Sequence, residues 1–244
     1  VMANYAAHNL AVSASWYDVD LSKPLPLESA GEIDLICSLL QAGGATVINI
    51  SDKIVPERVA VVSRVEQFPG TWWNDADWLQ VPRTLHEIQQ VTSKRGVEVA
   101  VHQHVGTHIE NRSETERLIE IVTGTEIKLC LDTGHLLLGG NDPLAMIDAA
   151  GGSVIHVHAK DVDGQTFDGL RAGEIDYFAA TGEGLYSDLG TGIVDWTGLR
   201  DGLDAADFSG WVVAEQDRLL VPGSSIPFEA NKRNCDFLKA LFRV

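Results

Sequence analysis

Short apolar runs rich in β-branched residues alternate along this chain with longer stretches in which apolar residues recur at helical spacing. The first run, 10–21 (LAVSASWYDVDL), carries Trp16, Tyr17 and Asp18 near its end, and the opening VMANYAAHNLAV reads as the tail of a helix entering it. A proline-marked loop precedes a helix over Leu27–Ala42, with Ile33, Ile36, Cys37 and Leu40 at helical spacing and Gly43-Gly44 as its stop. Strand 45–52 follows. The connection after it, 53–78, is longer than an ordinary loop, and its Trp72, Trp73 and Trp78 either cover a site as a lid or pack locally or at a subunit contact. A helix over 78–95 ends at Gly96, and strand 97–104 comes next. The Ser-Glu-Thr-Glu start of helix 113–122 resembles a capping box. Strand 127–133 leads to a helix opened by Asn141-Asp142-Pro143 and closed by Gly151-Gly152, and strand 154–160 follows. Residues 162–192 are glycine-rich with no clear period. A helix over 195–206, a strand over 211–216, a proline-containing loop and a helix over 227–242 complete the chain.

Strands alternating with helices at this pitch predict right-handed βαβ units around a parallel sheet. The pattern yields about six strands where a closed (β/α)8 barrel has eight. The expectation is an α/β fold of TIM-barrel type lacking its first two βα units, with 1–244 as a single domain.

Composition narrows the function classes. The 18 Lys and Arg against 35 Asp and Glu give a net charge of -17, which repels phosphate backbones and anionic membranes, so neither nucleic acid nor a membrane is an expected partner. Neither a membrane-spanning apolar run nor a secretory signal is legible. Cys37, Cys130 and Cys235 are odd in number and outside any CxxC pattern, so they read as reduced core cysteines of a cytoplasmic protein.

Three strands end in a burst of polar groups: VEVAVHQHVGTHIE, IKLCLDTGH and VIHVHAKD, echoed by WVVAEQD at 211–217. Buried strands end this way when they deliver side chains to one place. Taken together, HQHVGTHIEN, LCLDTGHLLLGGNDPL, VIHVHAKDV, LGTGIVDW and GWVVAEQD resemble the xylose-isomerase-like sugar isomerase/epimerase superfamily, and within it the inosose dehydratase branch. The match is dense over 97–217 and looser outside it. It implies a TIM-type barrel, one divalent metal at its carboxyl-terminal face and a keto-polyol or keto-sugar substrate.

The residues themselves agree with that implication. Asp132 ends an apolar strand, where a charge needs a partner or an ion. His156 and His158 fall on one strand face with valines opposite, and Glu215 closes the last strand. One imidazole with carboxylates suits Mn2+, Co2+ or Zn2+ better than Ca2+; Mn2+ or Co2+ is the first expectation, with Zn2+ and Mg2+ behind. By motif, Asp132, His158 and Glu215 match three of the superfamily's metal ligands; the alternative is buried polar groups satisfied by hydrogen bonds. The GTxxE glutamate, Glu110, is taken as the fourth ligand, with His104 and His102 next, while Glu114 and Glu116 read as solvated helix charges. His102 and His104 share a strand face and are assigned, with His135, His156 and Lys160, to substrate binding or ligand orientation. Lys160 stabilises an oxyanion or protonates a leaving hydroxyl, or else pairs with Asp161 or Asp163. The LGTGIVDW segment, with Asp195 near a helix start, reads as structure at the barrel mouth.

The expected reaction is dehydration of a keto-polyol such as 2-keto-myo-inositol through a metal-stabilised enediolate, with Glu215 or Glu110 as base. Return of the proton to the same intermediate would instead give isomerisation or epimerisation. A DNA-cleaving relative of the barrel is disfavoured by the charge, a non-catalytic sugar-binding protein is the alternative of another class, and a second copy of the chain, in a homo-oligomer, is the one macromolecular partner left open.

Overall fold

The computed structural model describes residues 10–219 and 226–243; the predicted helix tail at the start and the predicted loop at 220–225 lie outside them. Six strands form one parallel sheet in the order β1 (Ala14–Asp18), β2 (Val47–Ser51), β3 (Glu98–His102), β4 (Lys128–Asp132), β5 (Val154–Ala159) and, beside β5, β8 (Trp211–Ala214). Between β5 and β8 the chain makes a small antiparallel pair, β6 (Asp161–Val162) with β7 (Tyr186–Ser187). The sheet curls as in a TIM barrel, and β1 and β8 are its two edges.

Alternation along the strands builds two different surfaces. Ile48, Ile50, Val99, Val101, Leu129, Leu131 and Val157 turn outward into the main core, where they meet Ile33, Cys37 and Leu40 of helix Leu27–Ala42 and Val81, Leu85 and Ile88 of helix Asp75–Thr92. The inward positions are small or polar. Val47, Ala100 and Cys130 form a thin apolar layer, above which stand Asn49, His102, Asp132, His156 and His158. A register shift between Leu129 and Cys130 sets Cys130 opposite His156 and Asp132 opposite His158, so two strands end with their polar groups side by side.

The helices start where short polar side chains cap them. Asn74 with Asp77 and Asn111 with Glu114 make reciprocal capping boxes. The second box begins two residues before the predicted one, so its helix is Arg112–Val122. The aperiodic 162–192 stretch holds two helices, Gly164–Ala172 and Tyr177–Gly182, each capped by an aspartate, Asp163 and Asp176. Both are short, which is why periodicity missed them. The long connection after β2 folds into a one-turn helix, Pro56–Val59, and two 3-10 turns. Its tryptophans pack locally: Trp78 is buried in the main core, Trp73 packs edge-on to it and stacks on His108, and the Trp72 indole N–H donates to the Val65 carbonyl. Cys37 and Cys130 are buried free thiols, whereas Cys235 is exposed, correcting its placement in the core. No helix among the described residues is long and apolar enough to cross a membrane.

Candidate active site

Asp132, His158 and Glu215, from three neighbouring strand ends, bring ligand atoms within 4.8 Å of one another. Asp132 is the last residue of β4 and the cap of the short helix Thr133–Leu138, accepting the His135 amide N–H on Oδ1 at 2.8 Å. Its other oxygen, Oδ2, is buried without a hydrogen bond, 3.8 Å from His158 Nδ1 and 3.3 Å from Lys160 Nζ. Glu215 Oε2 lies 2.6 Å from the same His158 nitrogen. A fully buried carboxylate oxygen without a hydrogen-bond partner, aimed at an imidazole and a second carboxylate, suits a divalent cation.

Lys160 links the group together. Its ammonium, 0% exposed, donates to Glu215 at 3.1 Å, Asp217 at 3.0 Å and His135 Nε2 at 2.9 Å, and sits over the Tyr186 ring. It does not pair with Asp161 or Asp163. Asp161 instead accepts the amide N–H groups of Gly190, Gly192 and Val194 and the Trp196 indole N–H, which folds the LGTGIVDW segment around one carboxylate. Asp163 and Asp195 are helix caps. The glycine of LDTGH makes room for the lysine: a Cβ on Gly134 would lie 2.8 Å from Lys160 Cγ.

Burial opposes charge throughout the group, and neighbours decide each outcome. It pushes the Asp132 carboxyl up to about 6 even with Lys160 beside it. Burial would neutralise Lys160 too, but Asp132, Glu215 and Asp217 hold it protonated. For Glu215 the desolvation is outweighed by His158 and Lys160, which keep it ionised well below the usual carboxylate range. Burial would lower His158, but Cys130 and Glu215 outweigh it and raise it to about 11. The remaining imidazoles go the other way. Burial lowers His102 and His135 far below the ordinary value and takes His104 and His156 to about 4, so they stand as neutral rings.

Those neutral histidines divide into two sets. His156 Nδ1 lies 3.3 Å from Asn49 Nδ2, which also reaches His158 Nε2, so Asn49 spans the sheet interior from β2. β3 ends at His102, which puts His104 in the following loop rather than on a shared strand face; its Nδ1 contacts the Val105 carbonyl and its ring packs on His135. His102 lies against His158, ring centroids 4.7 Å apart, and His135 is further held by the Tyr186 hydroxyl at 3.4 Å.

Glu110 does not join them. Its carboxylate accepts the Ser63 amide at 3.0 Å and the Gly106 amide at 2.8 Å, with Arg58 4.0 Å away. Both oxygens are engaged by backbone donors, and no candidate metal-ligand group among the described residues includes Glu110. Nor is Glu114 solvated: it is 6% exposed and makes a two-pronged bond to the fully buried Arg58, at 2.9 and 2.7 Å. Glu116 is the surface charge expected, paired with Arg112 one turn away. The sequence reading gave no individual role to Asn49, Arg58, Asp217, Tyr186 or Gly134, although Gly134 and Asp217 stand inside its LDTGH and WVVAEQD motifs and Asn49 is polar between Ile48 and Ile50.

A family model described as the xylose isomerase-like TIM barrel matches residues 4–241. The chain belongs to that family. Its relatives include an inosose dehydratase of Bacillus thuringiensis (strain Al Hakam), 27% identical over 235 residues that cover 95% of this chain and 76% of the relative. Among solved structures, the IolI protein with a bound zinc atom superposes with a TM-score of 0.72 at 14% identity, covering 99% of this chain and 80% of that one. The 3-keto-D-glucoside 4-epimerase YcjR from E. coli gives 0.68 at 18% identity, covering 98% and 83%. This xylose isomerase-like barrel thus keeps the family's fold in strands that carry their polar groups to a common end.

Proposed function

We propose that this chain is an enzyme that dehydrates a keto-polyol of the inosose type, with 2-keto-myo-inositol as its model substrate, in the cytoplasm. The observation that carries the reading is the buried Asp132 Oδ2, without a hydrogen bond, grouped with His158 and Glu215 beside a lysine ringed by carboxylates. Kinship to inosose dehydratases supports it.

Asp132, His158 and Glu215 would hold one divalent ion of the Mn2+, Co2+ or Zn2+ class, which supplies Lewis acidity to a ketone oxygen when bound. Glu215, kept ionised by His158 and Lys160, takes the proton from the carbon next to the ketone. Lys160, fixed by Asp217 and His135, sets a positive charge where the enolate oxygen develops. Passing the collected proton to the departing β-hydroxyl completes the loss of water. The neutral His104, its Nδ1 held by the Val105 carbonyl, presents its other ring nitrogen for a remaining hydroxyl.

Protein loaded with Mn2+, Co2+ or Zn2+ and mixed with 2-keto-myo-inositol should form the dione, followed by absorbance. Absence of that product, with turnover of ketohexoses, would replace dehydration with epimerisation; absence of both would leave a sugar-binding protein.

A further inference from the structure

We infer that His102 supplies the fourth protein ligand to the ion, giving this chain a centre of two imidazoles and two carboxylates. The inference rests on the metal reading above and concerns the position that Glu110 leaves open.

His102 is the last residue of β3 and faces the sheet interior, where its ligand atom lies within 4.8 Å of those of His158 and Cys130 and, in a second group, of His104 and His135; His158 is the residue it shares with the Asp132–His158–Glu215 group. The Cys130 carbonyl lies 3.4 Å from its Nδ1, which assigns the proton to that nitrogen and leaves the Nε2 lone pair available. An imidazole held by a backbone carbonyl on one nitrogen and open on the other is the usual arrangement of a metal-binding histidine. His104 has the same kind of carbonyl contact, but its ring is packed on His135, which Lys160 occupies. Cys130 lies near, yet its sulfur contacts His156 Nδ1 at 3.4 Å, two register positions below Asp132. Glu110 is excluded by its two amide bonds.

Replacing a carboxylate with an imidazole removes one negative charge and softens the donor set. The centre should therefore prefer Zn2+ or Co2+ over Mn2+ or Mg2+. Titration with ZnCl2 and MnCl2, together with X-ray absorption of the zinc-loaded protein, tests this. Wild type should show two imidazoles on zinc. His102→Ala should show one and lose about 100-fold in zinc affinity, while Glu110→Gln keeps both imidazoles and binds zinc within about threefold of wild type. His102→Glu restores a carboxylate, and its zinc-to-manganese affinity ratio should fall at least about tenfold. Should His102→Ala retain two imidazoles and its affinity while Asp132→Ala loses the ion, the fourth-ligand assignment is wrong but the metal reading stands. If Asp132→Ala and His158→Ala also bind zinc like wild type, the metal reading itself fails.

Discussion

Asp132 and Glu110 are both carboxylates buried to within 1% of complete, both lie near the carboxyl ends of neighbouring strands, and both are pushed up by burial, to about 6 and about 7. Their surroundings differ. Each Glu110 oxygen receives an amide N–H, and Glu114 beside it is locked to Arg58, so both carboxylates are satisfied and tie the loop after β3 to the one after β2. Asp132 has one oxygen committed to a helix cap and one that makes no hydrogen bond but lies 3.3 Å from the Lys160 ammonium and 3.8 Å from His158, with the partly exposed Glu215 against that same imidazole. The Arg58 cluster leaves donors and hydroxyls without partners (Arg58 Nε, Asn111 Nδ2, Ser63 Oγ), the Asp132 cluster a carboxylate oxygen, and that difference in atom type separates the region suited to a cation from the region built for stability.

Substitutions that separate activity from stability sharpen this contrast. The largest effect is expected from Lys160→Met, which removes the buried charge shared by Asp132, Glu215 and Asp217: turnover of the metal-loaded protein should drop on the order of 10²–10⁴-fold, a range typical of losing one electrostatic or proton-handling group, while circular dichroism shows it folded. Arg58→Met should do the reverse. It leaves Glu114 buried without its partner, at a cost of about 3–5 kcal/mol by urea denaturation, while turnover per folded molecule holds. If Arg58→Met lost activity while keeping its stability, the two regions would have to exchange roles.

Gly134→Ala sits between them, because its added carbon meets the Lys160 stem. It should cost about 1–3 kcal/mol in stability and lower kcat more than it raises KM, since the displaced ammonium is the group that the reaction uses. The smallest effect is a pH difference. Glu110 is raised in the fold above its ordinary 4.5 to about 7, so the folded state binds more protons in that window and its contribution to stability, full below 4.5, is lost as pH rises through about 7. Subtracting the stability profile of Glu110→Gln from that of wild type should isolate this slope; a flat difference would mean that the carboxyl is not buried as described.

Much of the scaffold was legible because its causes are local. Each of the six main strands lies within the segment that its apolar run predicts, and the stops at Gly43 and Gly96 and the start at Asp142-Pro143 fall where conformational preference puts them. The short helices of 162–192 were not legible, since six to nine residues hold too few turns to set a period. In the site, the identity of Asp132, His158, Lys160 and Glu215 as strand-end polar groups could be read directly.

Their partners could not. A glutamate eight residues beyond the end of a strand looks the same in sequence whether it meets an ion or two amides, and only the path of the loop after β2, which carries Ser63 and Arg58, decided that Glu110 and Glu114 make their contacts there. Likewise two residues of strand length separated the interior-facing His102 from His104 in the loop. Sequence determined which segments bury apolar area and which residues interrupt them, because those preferences act over a few bonds. The tertiary fold decided which polar groups are satisfied, because hydrogen-bond partners here come from segments tens of residues apart whose approach no local pattern encodes.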